Sequence, residues 1–498
     1  MTQHHAPEAA ADTGVVVAGG GPVGLLAAAE LARFGARVLV VEPLERIARR
    51  PKAGTVHARA VQSLVRRGYL RGVEGLWPKD TASAFHYAGM PLLRITTEPG
   101  EPTALLKRAQ ADLEAEFERR LLRHGGRVLR GHRVTGVRQD ATGVDVTVEG
   151  AGARTLRARY LVGADGAHGR VAGLAGITAR TDPPTVSAMM GLARRVGPEP
   201  LPPGWHRTPR GWAVVRPLAD GGALVRTLDT GHPPVGRDTA EPTAADLAAE
   251  VSRVLGRPTT LDDVPHASRF SDLTRVADRF RLGRVLLAGD AAHLHFPIGG
   301  QGMSNGVLDA LNLAWKLARV LDGVADDGLL DTYESERRPP ALRVVEDTRA
   351  QLALMREGVE PDALRARFTA LLAVPGAQET VAARISGQDT AHPALCGRDC
   401  GREGAFLPNL SLTPLDGDRT GPTTVAELLA DGRPLLVEGP GARGAGDTAR
   451  VHGGIRVLRV AEPLPGGAVL LRPDGHIAWT PGCGDPGKAL VRWFGQRR

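Results

Sequence analysis

The feature that most constrains this chain is a strand, a glycine-rich turn and a helix near its beginning. The apolar strand over residues 15–18 runs into Gly19-Gly20-Gly21-Pro22-Val23-Gly24, and a helix extends from there to residue 34. A second apolar strand, over residues 37–41, ends at Glu42, 18 residues beyond Gly24. This order predicts a β-α-β unit in which a diphosphate lies on the free N–H groups of the helix N-terminus. The carboxylate can accept hydrogen bonds from ribose hydroxyls. The predicted cofactor-binding residues of this unit are Gly19, Gly21, Pro22, Val23, Gly24 and Glu42.

Two later strands also end in polar, glycine-containing turns. Residues 160–163 lead into Ala164-Asp165-Gly166-Ala167-His168-Gly169-Arg170, and residues 284–288 lead into Gly289-Asp290. A loop containing Gly299-Gly300-Gln301-Gly302 then precedes a long helix that starts near Met303. The backbone N–H groups and dipole of that helix would stabilise negative charge at its N-terminus.

Composition excludes several classes of protein. With 498 residues the chain is long enough for about three domains, or two with an elaboration. Its 42% hydrophobic and 24% charged residues suit packed domains rather than disorder. No run of 18 apolar residues occurs, and the N-terminus is polar, so we expect neither a membrane span nor a secretory leader. Three cysteines fit a cytoplasmic protein without a disulfide framework.

The net charge of +8 does not indicate nucleic-acid binding. Only five of the 63 basic residues are lysine, and the arginines are spread along the chain between acidic residues. A nucleic-acid site would concentrate cations on one face or stripe. We therefore expect a solvated surface and no nucleic-acid partner.

Three motifs in this order resemble one family, the group A flavin-dependent monooxygenases of the para-hydroxybenzoate hydroxylase type. They are the Gly19–Gly24 turn with Glu42, "GADGAHGR" at 163–170, and "GDAAHLHFPIGGQG" at 289–302 followed by "NGVLDALNLAWKLA". The resemblance covers residues 14 to about 372. In the tail, "HPALCGR" at 392–398 and "RPDGHIAW" at 472–479 resemble the thioredoxin-like C-terminal domain of members that hydroxylate aromatic polyketides. That tail has no CxxC pair, so we expect no disulfide exchange there.

The resemblance implies an α/β fold: a Rossmann-like FAD-binding domain, an inserted β-rich substrate domain and a C-terminal thioredoxin-like domain. The insertion agrees with the prolines and short strands of residues 181–282, after which an apolar strand returns at 284. The predicted domain boundaries are a disordered tail at 1–13, the FAD-binding domain at 14–75, 105–180 and 283–375, the substrate domain at 76–104 and 181–282, and the thioredoxin-like domain at 385–498.

The resemblance also implies the chemistry. FAD, reduced by NAD(P)H and reacting with O₂, would form a C4a-hydroperoxyflavin that hydroxylates a polycyclic aromatic polyketide or antibiotic intermediate. NADPH is expected rather than NADH, and since no second nucleotide-binding unit occurs, the nicotinamide would bind transiently at a mobile flavin. In the family, Asp290 would bind the ribityl chain. The further cofactor-binding residues implied or suggested by position are Arg50, Lys52, Arg59, Gln110, Asp165, Arg170, Gly289, Pro297, Gly300, Gly302 and Met303.

The substrate is expected between the flavin domain and the β-rich insertion. We assign no catalytic base, since the flavin is the reactive group with Pro297 and the Gly299–Gly302 backbone beside it. His86, His293 and His295 are the histidines that could serve as a base, and no metal is expected. The predicted substrate-lining residues are Phe85, His86, Tyr87, Trp212 and Phe296, with Pro297 as a further candidate.

Several alternatives remain open from sequence alone. A Baeyer–Villiger monooxygenase acting on a polyketide quinone or ketone would share every motif, as would an antibiotic-inactivating monooxygenase. A flavin-dependent halogenase is disfavoured because its Trp-x-Trp-x-Ile pattern is absent. A dehydrogenase with one dinucleotide-binding unit is disfavoured, because it leaves residues 289–302 unexplained. A non-catalytic FAD-containing protein that sequesters a drug is an alternative from a different class of function. A monomer or homodimer is expected.

Overall fold

The computed structural model describes residues 13–50, 52–196, 202–218, 221–231, 241–396, 402–415, 421–442 and 444–496. The α-helices in these ranges are α1 (Pro22–Arg33), α2 (Ala58–Arg66), α3 (Gln110–Arg123), α4 (Val171–Leu174), α5 (Ala244–Leu255), α6 (Gly302–Leu321), α7 (Asp331–Met355), α8 (Val359–Leu372), α9 (Ala377–Ser386), α10 (Val425–Leu429), α11 (Ala445–His452) and α12 (Pro486–Phe494).

The strands of the first half of the chain are β1 (Thr13–Ala18), β2 (Val38–Glu42), β3 (Thr55–His57), β4 (Ser83–Tyr87), β5 (Met90–Ile95), β6 (Leu105–Lys107), β7 (Arg127–Arg130), β8 (Arg133–Gln139), β9 (Val144–Glu149), β10 (Ala153–Gly163), β11 (Ala179–Asp182), β12 (Ser187–Ala193), β13 (Arg195–Val196), β14 (Gly204–Thr208), β15 (Gly211–Pro217) and β16 (Ala223–Asp229). Those of the second half are β17 (Leu261–Asp262), β18 (His266–Ser271), β19 (Thr274–Ala277), β20 (Arg281–Leu282), β21 (Val285–Leu287), β22 (His293–Leu294), β23 (Ser411–Leu412), β24 (Thr423–Thr424), β25 (Leu435–Glu438), β26 (Arg456–Arg459), β27 (Ala468–Leu471) and β28 (Ile477–Trp479).

The largest sheet has β1 near its centre, in the order β20-β21-β10-β1-β2-β7. The neighbouring pairs from β21 to β7 are parallel, while β20, β9 and β8 join in antiparallel pairs. β1 and β2 are apolar and largely buried because helices cover a parallel sheet on both faces. α1 contacts both α3 and α6 over this sheet. The Rossmann-like part of the predicted fold is therefore confirmed.

A second, antiparallel sheet is inserted between β11 and β19, in the order β14-β15-β16-β12-β18. α5 covers one face through an apolar cluster that includes Val215, Val225 and Leu247. The other face carries Trp205 and Trp212 and packs on the β4–β5 hairpin. At the hairpin tip Ala88 and Gly89 both have positive φ (51° and 77°), as a two-residue hairpin turn requires. The β-rich insertion is confirmed as an element of the fold, while its exact boundaries stay a prediction.

The C-terminal part has a thioredoxin-like strand order, β26-β25-β27-β28. β25 and β26 are parallel and are joined through α11, whereas β27 and β28 are antiparallel and lead to α12. Cys483 is in a disulfide, although three cysteines in the whole chain predicted no disulfide framework. Cys400 lies outside the described residues.

The sequence predicts one helix from Thr55 towards Gly68 and another from Leu105 to His124, and both start later in the structure. Leu105–Lys107 and Thr55–His57 pair with one another as β6 and β3. Helices α3 and α2 begin only after them, because a cross-strand partner far along the chain overrides local helix preference. Of the predicted tail at 1–13, residues 1–12 lie outside the described residues, and Thr13 already opens β1. No helix in the described ranges has the length and apolarity to cross a membrane.

Candidate functional site

The register of the central sheet brings the predicted strand ends to one edge. Ala18 is opposite both Val41 of β2 and Gly163 of β10, and Gly163 is opposite Leu287 of β21. Ligands of open α/β sheets bind at the carboxyl ends of such strands. The three glycine-containing turns that follow these strands therefore lie beside one another.

The glycines of these turns allow close packing between backbone segments. Gly19 has φ +105°, and a Cβ at this position would overlap with the backbone of Ala164. A Cβ at Gly24 would overlap with the carbonyl oxygen of Gly19, so α1 lies directly on the turn. At Gly21, by contrast, a Cβ would meet nothing within 4 Å. Open space at the N-cap of α1 is what a bound diphosphate needs.

The first turns of helix α6 lie against the turn after β21 and the start of α1. A Cβ at Gly306 would lie 3.3 Å from the Cα of Gly289 and would overlap with the side chain of Val23. Gly289 has φ +62°, and its own Cβ would lie 3.0 Å from Val23 Cγ2. The N-terminal ends of α1 and α6 and the turn after β21 thus converge.

Glu42 stabilises the first turn from the end of β2. Its Oε2 accepts a hydrogen bond of 2.6 Å from the Gly20 N–H, and its Oε1 accepts one of 2.8 Å from the Leu44 N–H. Each carboxylate oxygen keeps a further lone pair. A role in binding ribose hydroxyls stays a prediction compatible with this position.

Asp165 closes the second turn. Its Oδ2 accepts hydrogen bonds from the N–H groups of Arg170 (2.6 Å) and Val171 (3.0 Å) at the start of α4. Burial raises the pKa of Asp165, and Oδ1 is a buried atom with no partner among the described residues. The side chain of Arg170 is exposed. Asp165 shapes the turn and leaves one acceptor free for a bound group.

The third turn is positioned by a buried ion pair. Asp309 of α6 accepts hydrogen bonds from the Gly289 N–H (3.1 Å) and from His293 Nε2 (2.6 Å), and Arg337 Nε donates to its other oxygen at 2.8 Å. Burial alone would raise the pKa of Asp309, but the charges of His293 and Arg337 outweigh it and lower the pKa. The neighbouring Asp290 carboxylate is exposed and is free to accept hydrogen bonds.

The loop before α6 has two consecutive left-handed glycines, Gly299 (φ +74°) and Gly300 (φ +64°). The Gly299 carbonyl oxygen lies 2.7 Å from His57 Nε2, and the His57 N–H donates to Ser304 Oγ at 3.0 Å. His57 Nδ1 is buried without a partner among the described residues. Pro297 is exposed at the start of the loop, and α6 begins at Gly302 with Met303 buried.

Asp347 of α7 fixes this loop through hydrogen bonds. It accepts hydrogen bonds from Gln301 Nε2 (2.7 Å), Gln351 Nε2 (3.0 Å) and Tyr87 Oη (3.0 Å). Gln351 also accepts from the Ala88 N–H at 3.1 Å. Burial raises the pKa of Asp347. The loop, the hairpin tip and α7 are therefore fixed relative to one another, although Asp347 has no sequence signal of its own.

Of four further predicted cofactor-binding residues, three form hydrogen bonds or an ion pair with other protein groups. Arg59 donates to Gln62 Oε1 (2.9 Å) and to the Gln388 carbonyl (2.7 Å), and lies 3.8 Å over the Phe406 ring. Gln110 donates to Glu114 Oε1 at 2.8 Å, at the start of α3. Arg50 forms an exposed ion pair with Glu241, which precedes α5, and Lys52 is exposed. Flavin binding by Arg59, Gln110, Arg50 and Lys52 stays a prediction.

A continuous row of rings extends from the Gly299 loop to the inserted sheet, and we name it the aromatic wall: His57, Phe85, His86, Trp205 and Trp212. Successive ring centroids are 5.2, 4.6, 4.6 and 6.0 Å apart. Burial lowers the pKa of His57 and of His86 to about 4. Both rings are therefore neutral at physiological pH, and the wall presents an uncharged surface.

The predicted substrate residues divide between this wall and the core behind it. Phe85 and His86 are half-buried in the wall, and Trp212 is fixed there by an Nε1 hydrogen bond to the Met355 carbonyl at 2.7 Å. Tyr87 points away, stacked 4.7 Å from Phe368. Phe296 is buried, with its ring centroid 6.0 Å from that of Phe270. Among the candidate bases, His293 is committed to Asp309, and His295 Nδ1 lies 2.9 Å from the Phe296 carbonyl oxygen.

Sequence reasoning did not identify His57 or Trp205 as site residues. His57 stood in a stretch interpreted as a helix start, and only its pairing in β3 brings it to the loop. Trp205 lies opposite Val214 in the β14–β15 hairpin and so shares a sheet face with Trp212. The alternation of side chains along β15 could have predicted which residues share that face, but not which residues pack against it.

The residues at this edge of the sheet fit FAD. An open N-cap at α1 suits the diphosphate, and the α6 N-terminus lies beside the Gly299 loop. The exposed Asp290 and Asp165 Oδ1, which has no partner among the described residues, are available as acceptors. Helix N-termini bind anionic groups, and carboxylates at strand ends bind the hydroxyls of ribose and ribityl chains.

Comparison with known families agrees with this site. Residues 12–348 match the family described as "FAD binding domain", and residues 401–496 match the family described as "Aromatic-ring hydroxylase, C-terminal". The first match spans all three glycine-containing turns and the aromatic wall. The second spans the thioredoxin-like sheet.

Individual proteins match over nearly the whole chain. Anhydrotetracycline monooxygenase of Streptomyces rimosus is 37% identical over 507 residues, covering 97% of this chain and 98% of its own. Rifampicin monooxygenase of Streptomyces venezuelae is 33% identical, with the same coverage of both chains. The solved structure of the OxyS anhydrotetracycline hydroxylase from Streptomyces rimosus has a TM-score of 0.89 at 35% identity and covers 98% of this chain and 100% of its own.

Proposed function

Since the chain belongs to the FAD-dependent monooxygenases of the aromatic-ring hydroxylase family, we propose that it hydroxylates a polycyclic aromatic polyketide or antibiotic intermediate. The family resemblance stated from the motifs is confirmed by these matches. FAD, a reduced nicotinamide and O₂ are the cofactors of this enzyme class. NADPH rather than NADH is part of the proposal.

The aromatic wall is the observation that supports a polycyclic substrate. It is a row of neutral rings that starts beside the Gly299 loop and continues onto the inserted sheet. Flat aromatic ligands gain stacking and burial energy on such a surface. A wall longer than one ring favours a fused ring system over a single phenol.

The chain's own residues would bind FAD and the substrate, orient the substrate and exclude water from the site. When bound, FAD supplies oxygen activation and the transfer of one oxygen atom. The N–H groups at the start of α6 would stabilise negative charge on the flavin. Asp347 and His57 hold the preceding loop in its left-handed shape. The wall would keep water from the reacting ring and hold that ring in one orientation.

The proposal is tested by mass spectrometry of products. Purified FAD-loaded protein, NADPH and air are incubated with a panel of polycyclic phenols. A gain of 16 mass units, with NMR placing a new hydroxyl on a ring carbon, is the expected result. The same mass gain with an oxygen inserted into a ring bond would establish Baeyer–Villiger oxidation instead. A product formed from a mature antibiotic but not from its precursors would establish an inactivating enzyme.

Substrate control of the flavin gives a second readout. Without a substrate NADPH oxidation should be slow, and a true substrate should accelerate flavin reduction at least about ten-fold, or 1.4 kcal/mol in barrier. Lys52→Ala should reduce this stimulation more than it reduces FAD binding. Stopped-flow reduction that no polycyclic phenol accelerates, with products of unchanged oxygen count, would refute the hydroxylase proposal.

We further propose that the protein is a cytoplasmic monomer or homodimer that binds neither nucleic acid nor membrane. The dispersed arginines and the supply of reduced nicotinamide inside the cell support this proposal. Size-exclusion chromatography with light scattering tests the oligomeric state.

A further inference from the structure

Three cations lie at the aromatic wall: Lys107, Arg216 and Arg226, the cation cluster. Arg226 lies opposite Met190 and Val214, and Val214 lies opposite Trp205, so all four share one face of the inserted sheet. Residues directly opposite in antiparallel strands point to the same side of the sheet.

Arg216 belongs to this same face. It lies opposite Leu224, two residues before Arg226 on β16. The opposite face is filled by α5 through Val215, Val225 and Leu247. The arginines therefore point to the side of the sheet on which Trp205 contacts His86 at 4.6 Å.

Lys107 comes from the flavin domain and lies close to the loop before α6. Its Nζ donates to Thr55 Oγ1 at 3.0 Å and lies 5.9 Å from the centroid of the Phe85 ring. Thr55 Cβ is 3.5 Å from the position that a Cβ of Gly300 would occupy. The cluster thus extends from the Gly300 backbone to the inserted sheet.

The members of the cluster repel one another, and no residue that the structure describes neutralises them. Desolvation, then Arg216 and Arg226, lower the pKa of Lys107. Burial and then Arg216 lower the pKa of Arg226, whose Nε donates to the weak acceptor Met190 Sδ at 3.3 Å. Within the described ranges no carboxylate pairs with any of the three cations.

Another arginine of the same sheet face is neutralised. Arg207 lies opposite Trp212 in the β14–β15 hairpin, so it shares this face. It forms ion pairs with Glu357 at 2.6 Å and with Asp362. Among the described residues, the missing counter-charge is therefore a property of the part of this face beside the Gly299 loop. Like charges gathered in partly desolvated surroundings are unfavourable unless an anion binds between them.

We propose that the substrate carries an acidic group, an ionised enol, phenol or carboxylate, that Lys107 and Arg226 bind while its rings lie on the aromatic wall. This inference rests on the proposed function and adds the charge of the substrate to it. The anchored group would fix which ring edge faces the flavin. A nicotinamide cofactor with a 2′-phosphate is the other source of an anion, and the test separates the two.

The test uses two probes of nearly equal shape, anthraquinone-2-carboxylate and anthraquinone-2-carboxamide. Their dissociation constants for the FAD-loaded protein are measured by calorimetry. We expect the carboxylate to bind at least about ten-fold more tightly, since one charge-assisted contact is worth about ten-fold or more. Arg226→Gln and Lys107→Gln should each reduce that preference, and Arg226→Lys should retain part of it.

Arg207→Gln is the matched control, and it should leave the preference unchanged. Lys107→Gln alters an exposed side chain and keeps the test valid if the Arg226 variants fold poorly. Equal binding of the two probes by wild type would overturn the inference while leaving an aromatic substrate intact. Binding of neither probe would refute the proposed aromatic substrate and the inference with it.

The nicotinamide alternative is tested in parallel with 2′,5′-ADP. If the cation cluster serves the cofactor phosphate, Arg226→Gln and Lys107→Gln will weaken 2′,5′-ADP binding and will not alter the preference for the carboxylate probe. That result would overturn the inference. Unchanged 2′,5′-ADP affinity together with a lost carboxylate preference would support it.

Discussion

Asp290 is the residue on which FAD retention should depend most directly. Its carboxylate is exposed at the end of β21, beside the turn that Asp309 positions. Asp290→Ala removes a charge-assisted acceptor worth about 1.5–3 kcal/mol. We expect FAD affinity to fall about ten- to a hundred-fold, measured by flavin fluorescence after dilution.

Asp290→Asn is the matched variant, because it keeps an acceptor oxygen and loses only the charge. It should retain more FAD than Asp290→Ala. Equal flavin retention by wild type and Asp290→Ala would mean that this carboxylate does not bind the cofactor. Neither change should alter the melting temperature of the FAD-free protein by much, since the side chain is exposed.

At the scale of single elements, the start of α1 separates packing from cofactor binding. A Cβ at Gly24 would overlap with the Gly19 carbonyl, whereas a Cβ at Gly21 would meet open space. Gly24→Ala should therefore lower the melting temperature of the FAD-free protein, with a cost of about 1–3 kcal/mol for overpacking. Gly21→Ala should leave that temperature nearly unchanged and weaken FAD binding.

Two measurements on each variant distinguish these effects: thermal unfolding without FAD, and FAD affinity. Equal melting temperatures for the two FAD-free variants would contradict the close packing of α1 on its turn. FAD affinity unchanged in Gly21→Ala would contradict the placement of the diphosphate at this N-cap.

At the scale of the whole molecule, a buried ionic network joins the thioredoxin-like part to α6 and α7. Arg472 donates to both oxygens of Glu336 (2.7 and 2.8 Å) and to Asp474, while Lys316 Nζ lies 2.8 Å from Glu336. His476 lies beside it, with its Nδ1 3.3 Å from Asp474. Removing one partner of such a network leaves a buried charge uncompensated and costs about 3–5 kcal/mol, so the folding of the C-terminal part should be coupled to that of α6 and α7.

The buried histidines predict how stability depends on pH. Burial lowers the pKa of His476 to about 4, against 6.5 when unfolded. Between these values the unfolded chain binds a proton that the folded chain does not, so stability falls as pH falls through this window. The lowered pKa values of His57 and His86 also make stability fall as the pH falls.

His476→Phe should flatten this dependence by about 1.4 kcal/mol per pH unit between pH 6 and 4.5. Urea unfolding at several pH values measures the slope. Between pH 7 and 8 wild type and variant should have parallel profiles, which serves as the internal control. An unchanged slope at acidic pH would contradict a neutral, buried His476.

The sequence by itself determined the nucleotide-binding edge, the order of the domains and the family. Those signals are local: a buried strand, a glycine turn and a helix start occupy adjacent residues, so Gly19–Gly24, Asp165 and Asp290 were predicted in positions that the sheet register then aligned. Only the tertiary structure decided the strand at Leu105–Lys107, the aromatic wall, the Asp347 contacts and the cation cluster. Lys107 lies on β6 and Arg226 on β16 of the inserted sheet, and their charges meet because β6 pairs with β3 and the inserted sheet turns its uncovered face to the Gly299 loop. Contacts between residues far apart in a chain have no local pattern, since they depend on how whole elements pack.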